Sequence, residues 1–188
     1  MEQKLLETLK KHWHYDSFRP MQREAMESVL SGRDTLVLMP TGGGKSLIYQ
    51  VPTMASEGVC IVITPLIALM KDQVDNLRRR GIPAVAVHSG LTARQIDIAL
   101  DNCIYGDVKF LYIAPERISS QEFQLRVDRM KVAILAVEIV ITQPAFSAAA
   151  PPVPGRIGYA ASAPWRSGKR TAANARPDIA FAAAPYTE

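Results

Sequence analysis

Only two cysteines, no apolar run long enough to cross a bilayer, and almost no surplus of charge over the first 141 of 188 residues set the bounds on this chain. Cys60 and Cys103 stand singly, without C-x-x-C spacing or a partnering histidine pattern. That excludes a disulfide framework and a zinc-ribbon ligand set, and leaves reduced core thiols of a cytosolic protein as the expectation. The longest apolar run, Val59 to Met70, is broken by Pro65, whereas a membrane-spanning helix needs about 20 apolar residues. The start, Met1 to Lys11, alternates charge with leucine at helical spacing and lacks the apolar stretch of a secretion signal. A cytoplasmic location without a membrane partner is therefore expected. Residues 1–141 carry 17 Lys+Arg against 16 Asp+Glu, and residues 142–188 carry 5 against 2. Most of the formal charge of +4 thus lies in the tail and is no argument for nucleic acid. His12 and His14 have no metal-ligand company.

What is present is dense in one place. Thr35 to Met39 is a short apolar strand that runs through Pro40 into Thr41-Gly42-Gly43-Gly44-Lys45-Ser46. Consecutive glycines let backbone N–H groups converge on an anion, Lys45 can reach the β- and γ-phosphates of a nucleotide, and the Ser46 hydroxyl suits Mg²⁺. A helix starting near Ser46 points its positive end at the same phosphates. ATP with Mg²⁺ is the expected ligand pair, held by Thr41, Gly42, Gly43, Gly44, Lys45 and Ser46.

Apolar runs and amphipathic stretches then alternate, the pattern of βαβ units around a parallel sheet. Strands are expected at about 35–39, 59–64, 83–88, 109–114 and 132–137, with helices at about 45–55, 67–80, 92–103 and 120–129. Gly81 and Pro83 end the helix carrying Arg78-Arg79-Arg80, a charge run that reads as a solvated helix end. Thr92 with Gln95 and Ser119 with Glu122 have capping-box spacing. The strands are rich in Val and Ile on both faces, as when helices cover both sides.

The pattern stops near residue 141. Residues 142–188 hold 14 alanines, 7 prolines and no leucine, against 15 leucines and 6 prolines before them. Such a segment has little to bury against its ordering entropy. Two regions are expected: 1–141, a partial nucleotide-binding domain, and 142–188, an irregular or disordered tail, the product of a reading-frame change if the break inside a strand has that origin.

Several stretches between about residues 5 and 137 resemble the RecQ-like DNA helicases of superfamily 2. The loop itself, with Met39 where the generic pattern has its first glycine, has the x-P-T-G-x-G-K-S form of that superfamily. Trp13 to Gln22 resembles the family's adenine-recognition element, which implies Tyr15 packing on the base, Arg19 supporting the nucleotide and Gln22 meeting the adenine edge. A glutamine offers one donor and one acceptor, matching that edge. Ile63 to Gln73 and Leu111 to Arg117 resemble DNA-facing segments, implying contacts from Thr64, Pro65, Lys71, Pro115 and Arg117. Glu116 is expected to brace Arg117, His88 to pack its own loop, and Leu66, Leu69 and Met70 to join the core.

The resemblance implies an α/β, RecA-like P-loop NTPase domain, incomplete here, with a parallel sheet and helices on both faces. It further implies an ATP-dependent 3′–5′ DNA helicase acting on single-stranded or partly duplex DNA in repair and recombination, nucleoid-associated in a bacterium. Its protein partners are left open. One element departs. The family follows its Ala-Val strand end with Asp-Glu-x-His, where this chain has Glu138-Ile139-Val140-Ile141. Hydrolysis needs a carboxylate for the metal and another for the attacking water, and Glu138 is the single remaining candidate for a catalytic role beside Lys45. The alternative expectation is a catalytically inactive ATP-binding or interaction module.

Overall fold

The computed structural model describes residues 2–39, 42–141 and 179–185, with backbone alone for 139–141 and 179–185. Two helices precede the first strand. α1 (Glu2–Trp13) buries Leu5, Leu9 and Trp13 at helical spacing, and α2 (Gln22–Leu30) buries Ala25, Met26 and Val29. The sequence pattern foresaw α1 as an amphipathic start but left α2 unassigned. α2 is entered through Met21 at φ +69°, a left-handed residue that makes no side-chain cap to announce the helix.

The alternation beyond them is as expected: β1 (Thr35–Leu38), α3 (Leu47–Ala55), β2 (Val59–Ile63), α4 (Ile67–Arg79), β3 (Ala84–Val87), α5 (Ala93–Tyr105), β4 (Phe110–Ile113), α6 (Gln121–Val127) and β5 (Val132–Ile141). The Thr92 capping box forms, with Gln95 N–H donating to the Thr92 hydroxyl and Gln95 Oε1 accepting from Thr92 N–H. At α6 the cap is Ser120, which accepts from Phe123 N–H, and not Ser119; with Phe123 at the third helical position the expected capping box does not form. The arginine run is partly structural. Arg78 Nε donates to the Ala84 carbonyl and Arg80 Nη1 to the His12 carbonyl at the end of α1.

The strands form one parallel sheet in the order β1-β6-β5-β2-β4-β3, where β6 is Ile179–Pro185. β6 lies inside the tail that was expected to be irregular. Its register, Leu38↔Ala183 and Glu138↔Ala182, inserts it between the strand that leads into the glycine loop and the strand that carries Glu138. The remainder of 142–188 lies outside the described residues, and the expectation of a reading-frame change falls there too.

Crossover handedness places the helices. The chain moves one way along the sheet through α3 and α4 and returns through α5 and α6, so right-handed connections put the two pairs on opposite faces. α3 and α4 accordingly share a core with α1, α2, Tyr112 and Phe110. α5 and α6 share another with Val59, Ile61, Leu111 and Ile113. Cys60 and Cys103 are buried free thiols, and burial pushes both up to about 12, which keeps them protonated and unreactive.

Candidate nucleotide site and strand-end surface

The candidate residues gather at the carboxyl ends of the parallel strands, where α/β sheets bind ligands. β1 ends at Leu38 and the buried Met39 leads into the loop. Pro40 and Thr41 lie outside the described residues, so Thr41 is not placed. Gly42 (φ +76°) and Gly44 (φ +83°) adopt left-handed backbone, a conformation that costs a side-chain-bearing residue about 1–2 kcal/mol. Lys45 curls back, and its Nζ donates to the Met39 carbonyl at 3.1 Å. Burial lowers the Lys45 pKa, and the nearby Glu138 carboxylate opposes that shift.

The element upstream is tied to this loop. Gln22, the first residue of α2 and only 1% exposed, accepts from Arg19 N–H at 2.8 Å and donates through Nε2 to the Gly44 carbonyl at 3.1 Å. The same Nε2 lies 3.5 Å from the Gly43 carbonyl. Arg19 Nη1 donates to the Gly42 carbonyl at 2.5 Å. In this arrangement Arg19 and Gln22 brace the glycine turn across more than 20 residues of sequence. Tyr15 stands 48% exposed, open to a flat ligand.

Behind the loop runs a buried polar chain that sequence reasoning missed. Tyr49 Oη donates to Glu138 Oε1 at 2.9 Å. Its single proton being spent there, the 3.2 Å contact between the Tyr49 and Tyr112 hydroxyls is donated by Tyr112. Gln50 Nε2 donates to Tyr112 Oη and to Gln73 Oε1, each at 3.2 Å. Gln73 Nε2 in turn donates to Ser46 Oγ at 3.2 Å. The signal in the sequence was Tyr49-Gln50 inside a largely apolar helix. Gln73, the last residue of the segment that resembles a DNA-facing one, points toward the loop.

Glu138 is half-buried on β5. Burial raises its pKa, against the opposing effects of the Tyr49 hydrogen bond, the Thr64 hydroxyl and Lys45. Glu138 Oε2 and Thr64 Oγ1 are both buried without a hydrogen bond of ordinary geometry. Burial, and then neighbouring Tyr112 and Glu138, push Tyr49 well above the usual phenol range. Among the described residues no group of three or more His, Cys, Asp or Glu is gathered for a metal. A hydroxyl and a carboxylate oxygen nevertheless fit a hard cation that takes most of its ligands from phosphate and water, as Mg²⁺ does.

The second candidate surface lies at the ends of β2, β3 and β4. Thr64 is fully buried, its N–H donating to the Ile113 carbonyl, while Pro65 is exposed. Lys71 is exposed on α4, Pro115 is exposed, and Arg117 is half-buried in the 3-10 turn Pro115–Arg117 with its Nε lacking a hydrogen bond. The expected brace from Glu116 is therefore not made at that nitrogen. His88 is 7% exposed and accepts from Gly90 N–H through Nδ1, the loop-packing role expected of it. Burial lowers its pKa, the charges of Lys71 and Arg117 add to the shift, and Glu116 opposes it. Of the three apolar residues expected in the core, Met70 is fully buried, Leu69 is half-buried and Leu66 is 39% exposed.

A parallel sheet whose first strand empties into such a loop defines the P-loop class of nucleotide-binding domains. Within that class the chain belongs to the DEAD/DEAH box helicase family, whose sequence profile matches residues 19–141. Among its relatives is the ATP-dependent DNA helicase RecQ of Haemophilus influenzae, 41% identical over 133 residues that make up 71% of this chain and 22% of the relative. The protein of the same name from Synechocystis is 43% identical over 119 residues, 63% of this chain and 25% of the relative. That from Bacillus subtilis is 42% identical over 128 residues, 68% of this chain and 22% of the relative. The chain thus spans between 22% and 25% of these relatives' length. The fold is also similar to a crystal structure of the DUF1998 helicase MrfA bound to DNA, at a TM-score of 0.59 and 15% identity, over 73% of this chain and 21% of that one. No helix among the described residues is long and apolar enough to cross a membrane.

Proposed function

We propose that this chain binds ATP with Mg²⁺ at the glycine loop and constitutes the nucleotide-binding part of a RecQ-type DNA helicase that translocates 3′ to 5′ on single-stranded DNA. The observation that carries the reading is the joining of Arg19 and Gln22 to the carbonyls of Gly42 and Gly44. It makes the upstream aromatic element and the phosphate loop one unit. Lys45 and the N–H groups of Gly42 to Ser46 hold the phosphates, Ser46 Oγ is a metal ligand, and Tyr15 covers the adenine with Arg19 and Gln22 beside it. Thr41 completes the loop. Mg²⁺, when bound, neutralises the phosphate oxygens. Glu138 Oε2, buried without a hydrogen-bond partner, would be the carboxylate oxygen available to hold the metal. Thr64, Pro65, Lys71, Pro115 and Arg117 meet the phosphates of single-stranded or partly duplex DNA, so affinity falls with salt and varies little with sequence.

A second reading is an ATP-binding module without turnover, favoured by Ile139 and Ile141 at the positions where the family carries its second carboxylate and its histidine. Phosphate release from ATP, with and without an oligo(dT) strand, separates the two. Turnover stimulated by the strand supports a working motor domain. Binding of a non-hydrolysable ATP analogue with no phosphate release supports the module, and the absence of both removes the nucleotide site.

A further inference from the structure

Of the six polar side chains in the buried chain from Glu138 to Ser46, Gln73 alone comes from α4, the helix that follows the Thr64-Pro65 strand end. Its carbonyl is committed to Gln50 Nε2, and Gln50 has its second amide hydrogen on the fully buried Tyr112 hydroxyl. The amide plane of Gln73 is therefore held from behind, and only its N–H₂ faces the loop. That N–H₂ donates to Ser46 Oγ. A serine hydroxyl has one proton and two lone pairs. With one lone pair occupied by Gln73, the other lone pair and the proton are left for the nucleotide side.

We infer that Gln73 is a positioning residue for Ser46: it fixes the rotation of the hydroxyl so that its free lone pair meets the metal of a bound Mg-nucleotide. This rests on the nucleotide-site reading above. Without Gln73, Ser46 Oγ turns freely, and the metal must bear the cost of orienting it. The loss falls on Mg²⁺-dependent affinity and not on nucleotide binding as such, because among the described residues the hydrogen bond that Gln73 makes to the loop is the one to Ser46 Oγ.

The test is an equilibrium titration of the full chain with N-methylanthraniloyl-ATP, in EDTA and again in MgCl₂, for wild type, Gln73→Met, Ser46→Ala and the double variant. Methionine keeps the length and apolar bulk of glutamine and removes both hydrogen bonds. Gln73→Ala provides a second substitution if methionine disturbs cooperative thermal unfolding. The expected result is unchanged affinity in EDTA and, in MgCl₂, a loss of about 2- to 10-fold for Gln73→Met, the range of one hydrogen bond. The double variant should bind no more weakly than Ser46→Ala, because the two act as a unit. Gln73→Met matching wild type in MgCl₂, or losses that multiply in the double variant, overturns the role of Gln73 and leaves the nucleotide site standing. Wild type that binds in neither condition overturns both.

Discussion

Gly44→Ala and Gly42→Ala separate the two costs that a glycine loop can hide. Both residues have left-handed backbone, at φ +83° and +76°, so an alanine at either costs about 1–2 kcal/mol of strain. Their surroundings differ. A Cβ at Gly42 meets nothing within 4 Å, whereas one at Gly44 lies 2.4 Å from Gln22 Nε2. No real Cβ tolerates that distance, so the amide of Gln22 must move, and it is the donor to the Gly44 carbonyl. Gln22 is 1% exposed, so its displaced N–H₂ finds no water; a buried donor left unpaired costs about 1–3 kcal/mol. Gly44→Ala is therefore expected to exceed Gly42→Ala in destabilisation by about 2 kcal/mol. At a urea slope of about 2 kcal/mol/M, that separates the two unfolding midpoints by about 1 M. Adding Gln22→Ala removes the obstacle, and the double variant should then be less destabilised than the sum of its parts. Equal midpoints for the two glycine variants, or strict additivity with Gln22→Ala, would refute the bracing of the loop by Gln22.

Three other outcomes follow from the same geometry. Glu138 has a folded-state pKa raised above its ordinary 4.5, chiefly by burial, so the native state binds its proton more tightly than the unfolded chain. Stability then falls as pH rises from 4.5 through the raised value. Glu138→Gln should remove that fall, seen as a sloping difference between the two stability-against-pH curves, and a flat difference would count against it. Tyr15→Ala should leave thermal unfolding unchanged, since the ring is half in solvent, and weaken ATP binding by about fivefold or more, as stacking on a base contributes roughly 1–3 kcal/mol. Equal loss of stability and affinity would contradict a purely ligand-facing ring. Deleting residues 179–188 removes a strand paired on both sides, to β1 and to β5. With several ladder hydrogen bonds lost at about 1 kcal/mol each, Tm should drop by about 6–12 °C, and an unchanged Tm would show that β6 does not hold the sheet.

Legibility in the sequence tracked how local the physics was. The glycine loop, the Thr92 cap and the end of α4 at Gly81, in left-handed backbone at φ +71°, each depend on a few consecutive residues, and all could be read directly. The buried strands β2 and β4 were plain as Val- and Ile-rich or aromatic runs. β6 was not, because Ile-Ala-Phe-Ala-Ala-Ala-Pro has little strand preference of its own. Pairing with both β1 and β5 makes it a strand, and such pairing leaves no mark in composition. The candidate site divides in the same way. Lys45 and Ser46 followed from spacing, but the inward turn of Gln22 and Gln73 depends on contacts across 22 and 27 residues. A glutamine gives no hint of which backbone it will meet. Arg78 and Arg80 likewise looked like solvated charges until the carbonyls of Ala84 and His12 were seen at their guanidinium groups.

The claim on which the account depends is that the glycine loop holds a nucleotide. Isothermal calorimetry of the full chain with ATP and MgCl₂, repeated with Lys45→Ala, measures it directly. The account predicts saturable binding at one site by the wild type and its loss in the variant, with both proteins unfolding cooperatively beforehand. No heat of binding from a folded wild-type chain, or undiminished binding by folded Lys45→Ala, would contradict it.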